Sequence, residues 1–309
     1  MLKIRYAGYV LIIIFGVQYF YEKSAELSQL KNLTLTQIGA ASVAVFLTQL
    51  ITGRKYKTLF SVLKIKLTPR EWFGLPQVTA FLNLLFFKSG TVTNAYFLKK
   101  HHEVSYSRFI AAMSVQKILD FFVAIFFGFM ISLFIFSFFE IDFYVVLVFC
   151  LMLAALLCFF FYPPIHIKKW KSHILNKIYK IIEASNEYKQ NKPVMFKIIL
   201  LEMIAIPILG IRYYIAFNIL NNPVSIAECV IFSVVVSVTG LVSIIPGNIG
   251  IRETIVGMSA YYMDYSFDYG VFATTLDRII ATAWAGFWGL IFFHLLHLKG
   301  YSKKNTSAF

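Results

Sequence analysis

The sequence predicts an all-α integral membrane protein: six full transmembrane helices and two re-entrant helical hairpins, arranged as an inverted repeat. Three observations carry this. Of 309 residues, 59% are hydrophobic and 14% charged, against about 25% charged in a soluble domain. Basic and acidic clusters alternate between the apolar runs, and Lys and Arg collect on the cytoplasmic side of a membrane. Two apolar runs are broken, one at Ser89-Gly90 and one across Pro246-Gly247-Asn248-Ile249-Gly250. Lipid-exposed backbone must satisfy its own hydrogen bonds, so such breaks are tolerated only inside protein or beside a wet cavity.

Tyr6 to Tyr21 is apolar and follows Lys3 and Arg5, with no small-residue cleavage site after it, so it reads as a retained first span leaving the cytoplasm. Leu33 to Ile51 returns inward. Gly53 to Glu71 carries Arg54, Lys55, Lys57, Lys64, Lys66 and Arg70 against Glu71. Leu59, Phe60, Leu63 and Leu67 are spaced for an amphipathic helix on the cytoplasmic face, and a solvated basic loop fits the same residues. The stretch 72–98 has basic flanks on both sides, Lys99-Lys100-His101-His102 following it. A hairpin that dips from the cytoplasm and returns there fits those flanks better than a crossing.

Phe109 to Phe139 crosses outward with Gln116-Lys117 and Asp120, Glu140 and Asp142 mark the outside, and Phe143 to Tyr162 returns. The loop 163–197 holds eight lysines against Glu183 and Glu187 and is cytoplasmic. Ile174, Ile178, Ile181 and Ile182 give it a helical stripe that can rest on the bilayer. Ile198 to Leu220 crosses outward, with Glu202 near its inner and Arg212 towards its outer end. The second hairpin, 226–262, enters from outside and returns to the acidic stretch Asp264 to Asp268. Tyr269 to His297 crosses inward through Asp277-Arg278, and 299–309 is a cytoplasmic tail. Segments assigned to the cytoplasm hold 22 Lys/Arg and 4 Asp/Glu, and those outside hold 2 and 6. Both termini are therefore placed inside, and 1–309 reads as one membrane domain with halves 1–162 and 198–298.

The halves run parallel in sequence. Ser89-Gly90 precedes a span bearing Val115-Gln116-Lys117-Ile118, and Pro246-Gly247 precedes one bearing Leu276-Asp277-Arg278-Ile279. Gly90 to Lys117 is 27 residues and Gly247 to Arg278 is 31, a difference that one loop can absorb. Inverted repeats with broken helices point to alternating access to a central site.

Around the second break the chain resembles the transmembrane region of lysylphosphatidylglycerol synthases and its stand-alone, flippase-like relatives. Pro246-Gly247-Asn248-Ile249-Gly250-Ile251-Arg252-Glu253 matches the family's P-G-x-x-G-x-R-E segment, supported by Asn83, Ser89-Gly90, Gln116-Lys117 with Asp120, and Asp277-Arg278. Lys88-Ser89-Gly90-Thr91 departs from the relatives' Pro-Gly with a further glycine, and Gln116-Lys117 from their acidic-Arg pair, which puts the first half-site in doubt. The resemblance spans about residues 5 to 295 and stops short of the aminoacyl-transferring domain. It implies lipid translocation or lipid-linked glycan export, and not lysine transfer.

A charge at the bilayer centre costs on the order of 2.5–3.5 kcal/mol on insertion scales, so it is normally paired or functional. Two readings of the central charges stand together. In one, Arg252 pairs with Asp277 and Glu253 with Arg278, holding the hairpin to the last span. In the other, Arg252, Arg278 and Lys117 face a shared cavity and bind a lipid phosphate, arginine through its planar fork and lysine as a point charge. Backbone amides at Gly247 to Gly250 add donors at a helix start. Asp120 is expected to pair with Lys117 on its own helix face, a proton relay being the alternative.

His294 and His297 read as interfacial side chains, no metal ligand set is apparent, and no cofactor is implied. No P-loop, HExxH, GxSxG or DxD constellation is present, so a non-enzyme is expected, with any ATPase supplied by a partner. The expected partners are anionic membrane lipids, with glycosyltransferases or lipid-modifying proteins beside them, and no nucleic acid. The expected location is a bacterial inner membrane. A lipid-phosphate enzyme using Asp277 or Glu253, and a non-transporting subunit of glycan or lipid biosynthesis, remain as alternatives.

Overall fold

The structure, a computed structural model, describes residues 34–86, 88–138, 147, 150–154, 173–239 and 250–298. The described residues are helical throughout their regular elements, with no strand among them. In chain order the principal helices are α1 (Leu35–Ser61), α2 (Pro69–Leu85), α3 (Ser89–His102), α4 (Tyr106–Phe138), α5 (His173–Gln190), α6 (Lys192–Ile219), α7 (Ile226–Thr239), α8 (Ile251–Tyr261) and α9 (Phe267–Phe293), the last ending in a π turn, His294–Leu298. Four are long and apolar enough to cross a membrane: α1, α4 over Tyr106–Leu133, α6, and α9 with its π turn over Phe267–Leu296. The expected spans Tyr6 to Tyr21 and Phe143 to Tyr162 fall outside the described residues or largely so.

α2 and α3 form an antiparallel helical hairpin. Their connection is short because Lys88 takes left-handed backbone, φ 57°, and Ser89 Oγ donates to the carbonyls of Leu82 (2.7 Å) and Phe86 (2.9 Å). Asn83 accepts the Gly90 amide at 3.0 Å. Halfway down, the Asn94 side chain donates to the Leu75 carbonyl at 2.6 Å and to Thr79. At the feet, buried Glu71 caps Thr68 N at 2.7 Å and meets His102 Nε2 at 2.8 Å. Burial works against charge on Glu71, but His102 and the Thr68 donors outweigh it and hold this carboxyl below its ordinary value.

α7 and α8 are closed at their feet in the same manner. Ser225 N donates to Glu228 at 2.9 Å, and Tyr265, just past α8, donates to the same carboxylate at 3.0 Å. Pro246 and Gly247 lie outside the described residues.

One expectation is corrected. Gly53 to Ser61 is neither a surface helix nor a loop: α1 runs on through it. Its apolar side chains Leu59 and Phe60 are buried against Trp72, Leu75, Phe97 and Phe109, and Lys55 is buried with them. A second cluster joins α6 to α9 through Tyr213, Phe217, Phe232, Val256, Phe272 and Leu276. The stripe on 163–197 forms α5, which buries Ala184 and Tyr188 and is tied to α4 by Arg108–Glu187 at 3.1 Å.

Candidate functional site

α1 and α6 pack antiparallel, and two polar rungs cross between them. Seven residues separate the rungs on α1, about 10 Å along the helix. The first rung centres on Asp277 of α9. Arg212 of α6 grips it with its planar fork, Nε to Oδ1 at 2.7 Å and Nη2 to Oδ2 at 2.9 Å, the bidentate geometry that makes arginine the preferred partner of a carboxylate. Its remaining Nη1 donates to Thr48 Oγ1 of α1 at 3.1 Å.

Arg252, in the first turn of α8, reaches the same carboxylate at 3.4 Å through Nη2. Its Nε donates to the buried Tyr213 hydroxyl at 2.8 Å, and its guanidinium lies 5.4 Å from the Tyr213 ring centroid. Beside it, Arg278 Nη1 meets Glu253 Oε1 at 2.9 Å. Three arginines thus face two carboxylates, a surplus of one positive charge. Arg252 is the most exposed of the three, with 23% of its side chain exposed, and among the described residues its Nη1 makes no hydrogen bond. A small, water-sized cleft opens between α1, α6 and α9, lined by Ala41, Val45, Arg212, Ala216, Asp277 and Ile280.

The second rung is Lys55 of α1 between Asp120 of α4, at 3.1 Å, and Glu202 of α6, in direct contact. Lys55 and Glu202 are 6% and 8% exposed, so one ammonium and two carboxylates share a dry setting.

Both expected pairs, Arg252 with Asp277 and Glu253 with Arg278, are present. Other expectations change. Asp120 pairs with Lys55 and not with Lys117, because Asp120 turns toward α1 and α6 while Lys117, three residues earlier, is exposed. Lys117 does not join the arginines; Arg212 takes the third place. The cleft's charged lining is Arg212 and Asp277, with Arg252 reaching it only through Asp277. The Gly250 amide, expected as an anion donor, is taken by Glu253 Oε2 at 2.9 Å, with Gly250 at φ 85°. Gly247 lies outside the described residues.

Lys55, Arg212, Thr48 and Tyr213 were not singled out together in the sequence. The signal is there: Gly53-Arg54-Lys55-Tyr56 and Gly210-Ile211-Arg212-Tyr213 stand 157 residues apart, as do Asp120 and Asp277. Each half therefore holds a Gly-x-cation-Tyr segment whose cation pairs with an aspartate at the same spacing, Lys55–Asp120 and Arg212–Asp277.

A family described as the lysylphosphatidylglycerol synthase TM region matches residues 6–289. The chain belongs to that family. The matched region takes in both rungs and both hairpins, so the ion network described above lies within the family's own segment. No curated protein and no solved structure matches the chain.

Proposed function

We propose that this chain is a flippase-like carrier that moves an anionic phospholipid or a lipid-linked sugar phosphate between the leaflets of a bacterial cell membrane. The observation that carries the reading is the surplus cation at the Asp277 rung, with Arg252 part-exposed and holding free donors. A phosphate is the ligand that such a planar, permanently charged fork suits. Glu253 and Asp277 position the arginines by pairing with them.

Alternating access needs two halves that can exchange roles, and a duplicated, inverted fold supplies them. The 157-residue spacing supports it. It relates Thr68 and Glu71 to Ser225 and Glu228, which cap and clamp the two hairpins, and Gly90 to Gly247 at the two breaks. It also relates core to core: Tyr56, Phe60, Leu75 and Leu119 to Tyr213, Phe217, Phe232 and Leu276. This register replaces the one that set Lys117 against Arg278, and it needs no gap. On this reading α2–α3 re-enters from the cytoplasm and α7–α8 from outside, with both chain ends in the cytoplasm.

The test is reconstitution. Arg252→Gln in vesicles carrying a fluorescent anionic phospholipid is expected to lose at least about tenfold of the translocation rate, the loss of one charge-assisted contact of about 1.5–3 kcal/mol, with the helical fold retained. Wild-type rates in a folded Arg252→Gln protein would reject the phosphate site.

A further inference from the structure

We propose that Lys55, Asp120 and Glu202 form a proton-binding site, that Glu202 carries the exchangeable proton, and that the proton travels in the same direction as the anionic lipid. Only the coupling rests on the carrier reading; the proton site stands on its own geometry. The three side chains come from three helices, α1, α4 and α6, and Lys55 contacts both carboxylates. Two carboxylates against one ammonium leave one negative charge in a place where Lys55 and Glu202 are less than a tenth exposed. Two carboxylates sharing a site do not both ionise readily, and an uncompensated buried charge costs several kcal/mol. One proton balances the cluster.

The surroundings single out Glu202. Its side chain is 10% exposed against 19% for Asp120, so the aspartate is the better solvated anion and keeps the lysine's charge. Lys117 on α4 also acts on Glu202 electrostatically. It is exposed and makes no hydrogen bond to either carboxylate among the described residues, so water or headgroups screen it. The next ionic layer, Arg212 with Asp277, lies ten residues on, about 15 Å along α6.

The companion rung is the second observation. At the same spacing, the equivalent aspartate and cation, Asp277 and Arg212, acquire an extra arginine, Arg252, where this rung acquires an extra carboxylate, Glu202. One rung is short of an anion and the other of a cation. A carrier loaded with one anionic lipid and one proton is balanced at both, and it moves no net charge against the membrane potential. The step itself is a single proton transfer: water on one side protonates the Glu202 carboxylate, and water on the other side takes the proton away.

Two measurements on the full chain test this. Infrared spectra of the purified protein at neutral pH are expected to show the C=O stretch of a protonated carboxyl, shifted in D2O, and absent from Glu202→Gln. Asp120→Asn removes the surplus charge, so it too is expected to lack the band; this variant carries the test should Glu202→Gln fail to fold. A band unchanged in either folded variant overturns the proton site. In proteoliposomes, one pH unit across the bilayer, acid on the donor side, is expected to shift the leaflet ratio of a fluorescent anionic phospholipid toward the alkaline side by up to about tenfold for one proton per lipid, and Glu202→Gln is expected to abolish that dependence. Lipid movement with no response to the gradient, or toward the acid side, overturns the coupling and leaves the carrier standing. A protein that shows the Glu202 band but moves no lipid overturns the carrier and leaves the proton site standing.

Discussion

Asp277 is shared by Arg212 and Arg252 and is almost fully buried, with 2% of its side chain exposed. Asp277→Asn leaves two guanidinium groups facing one another in a low-dielectric setting, and breaking a buried pair from one side costs on the order of 3–5 kcal/mol. Asp277→Asn combined with Arg212→Gln removes one of the two cations as well, and is expected to recover part of that loss in thermal unfolding in detergent. A double variant no more stable than the single would show that repulsion is not the cause. Glu71 makes a different prediction, about pH. Its folded-state value is depressed from the ordinary 4.5, so its stabilisation of the hairpin feet is complete above about pH 4.5 and is lost as pH falls through the lower folded value. Amide hydrogen exchange over residues 68–102, corrected for intrinsic rates, is expected to accelerate on acidification in the wild type and to lack that step in Glu71→Gln. At this scale the sequence was readable where opposite charges were neighbours, as at Arg252-Glu253 and Asp277-Arg278. It was unreadable at Lys55 and Arg212. A span that is apolar on every side gives no moment to say which face looks inward, so Arg212 could be placed in depth but not in direction. Lys55 stands among six basic residues in a stretch that reads as a surface helix or a solvated basic loop, neither of which buries it.

At the level of elements, the α2–α3 hairpin and the α8–α9 pair depend on close backbone approach, and glycine marks where. A Cβ at Gly90 would run into the Thr79 backbone across the α2–α3 turn. On α9, a Cβ at Gly270 would stand 2.7 Å from Gly257 Cα and 2.8 Å from the Val256 carbonyl oxygen, both in α8. Backbone cannot yield as a flexible side chain does, so the α2–α3 hairpin or the α8–α9 pair must spread to admit the extra atom, and overpacking of this kind costs about 1–3 kcal/mol. Gly90→Ala and Gly270→Ala are each expected to lower the unfolding temperature in detergent. Gly286→Ala serves as the control, since nothing lies within 4 Å of its Cβ position. Equal effects at all three sites would mean that helix propensity, and not approach, decides. The first hairpin was legible because a short apolar run with basic residues on both flanks has only one arrangement that keeps its charges on one side. The inner end of α1 was not. Charge counting ended the span at Ile51, whereas burial of Leu59 and Phe60 carries the helix through to Ser61, and the lysine it buries is matched by two carboxylates on other helices.

For the molecule as a whole, the carrier proposal requires the two halves to be copies facing opposite ways. Lys55–Asp120 and Arg212–Asp277 tie α1 to α4 and α6 to α9 at one spacing, and α1 lies antiparallel to α6, with which it shares the Gly-x-cation-Tyr segment. The early register, anchored on Lys117 and Arg278, needed a four-residue gap because it matched cations that do different work, one exposed and one paired with Glu253. Aligning by partner removes the gap. If the copies are inverted in the membrane, both feet of each hairpin lie on one face, and the two hairpins lie on opposite faces. Single cysteines at Arg70 and Lys100 mark the feet of the first hairpin, and at Ala227 and Tyr262 those of the second; all four positions are exposed. In a background without Cys150, Cys158 and Cys229, an impermeant maleimide added to intact cells stripped of outer wall is expected to label Ala227→Cys and Tyr262→Cys at once. Arg70→Cys and Lys100→Cys are expected to react only after the membrane is opened. Labelling of one foot without the other would make that hairpin a crossing. Labelling of all four from one side would place the halves in the same orientation, and two rungs of opposite surplus would then serve one face of the membrane instead of being exposed in turn to both.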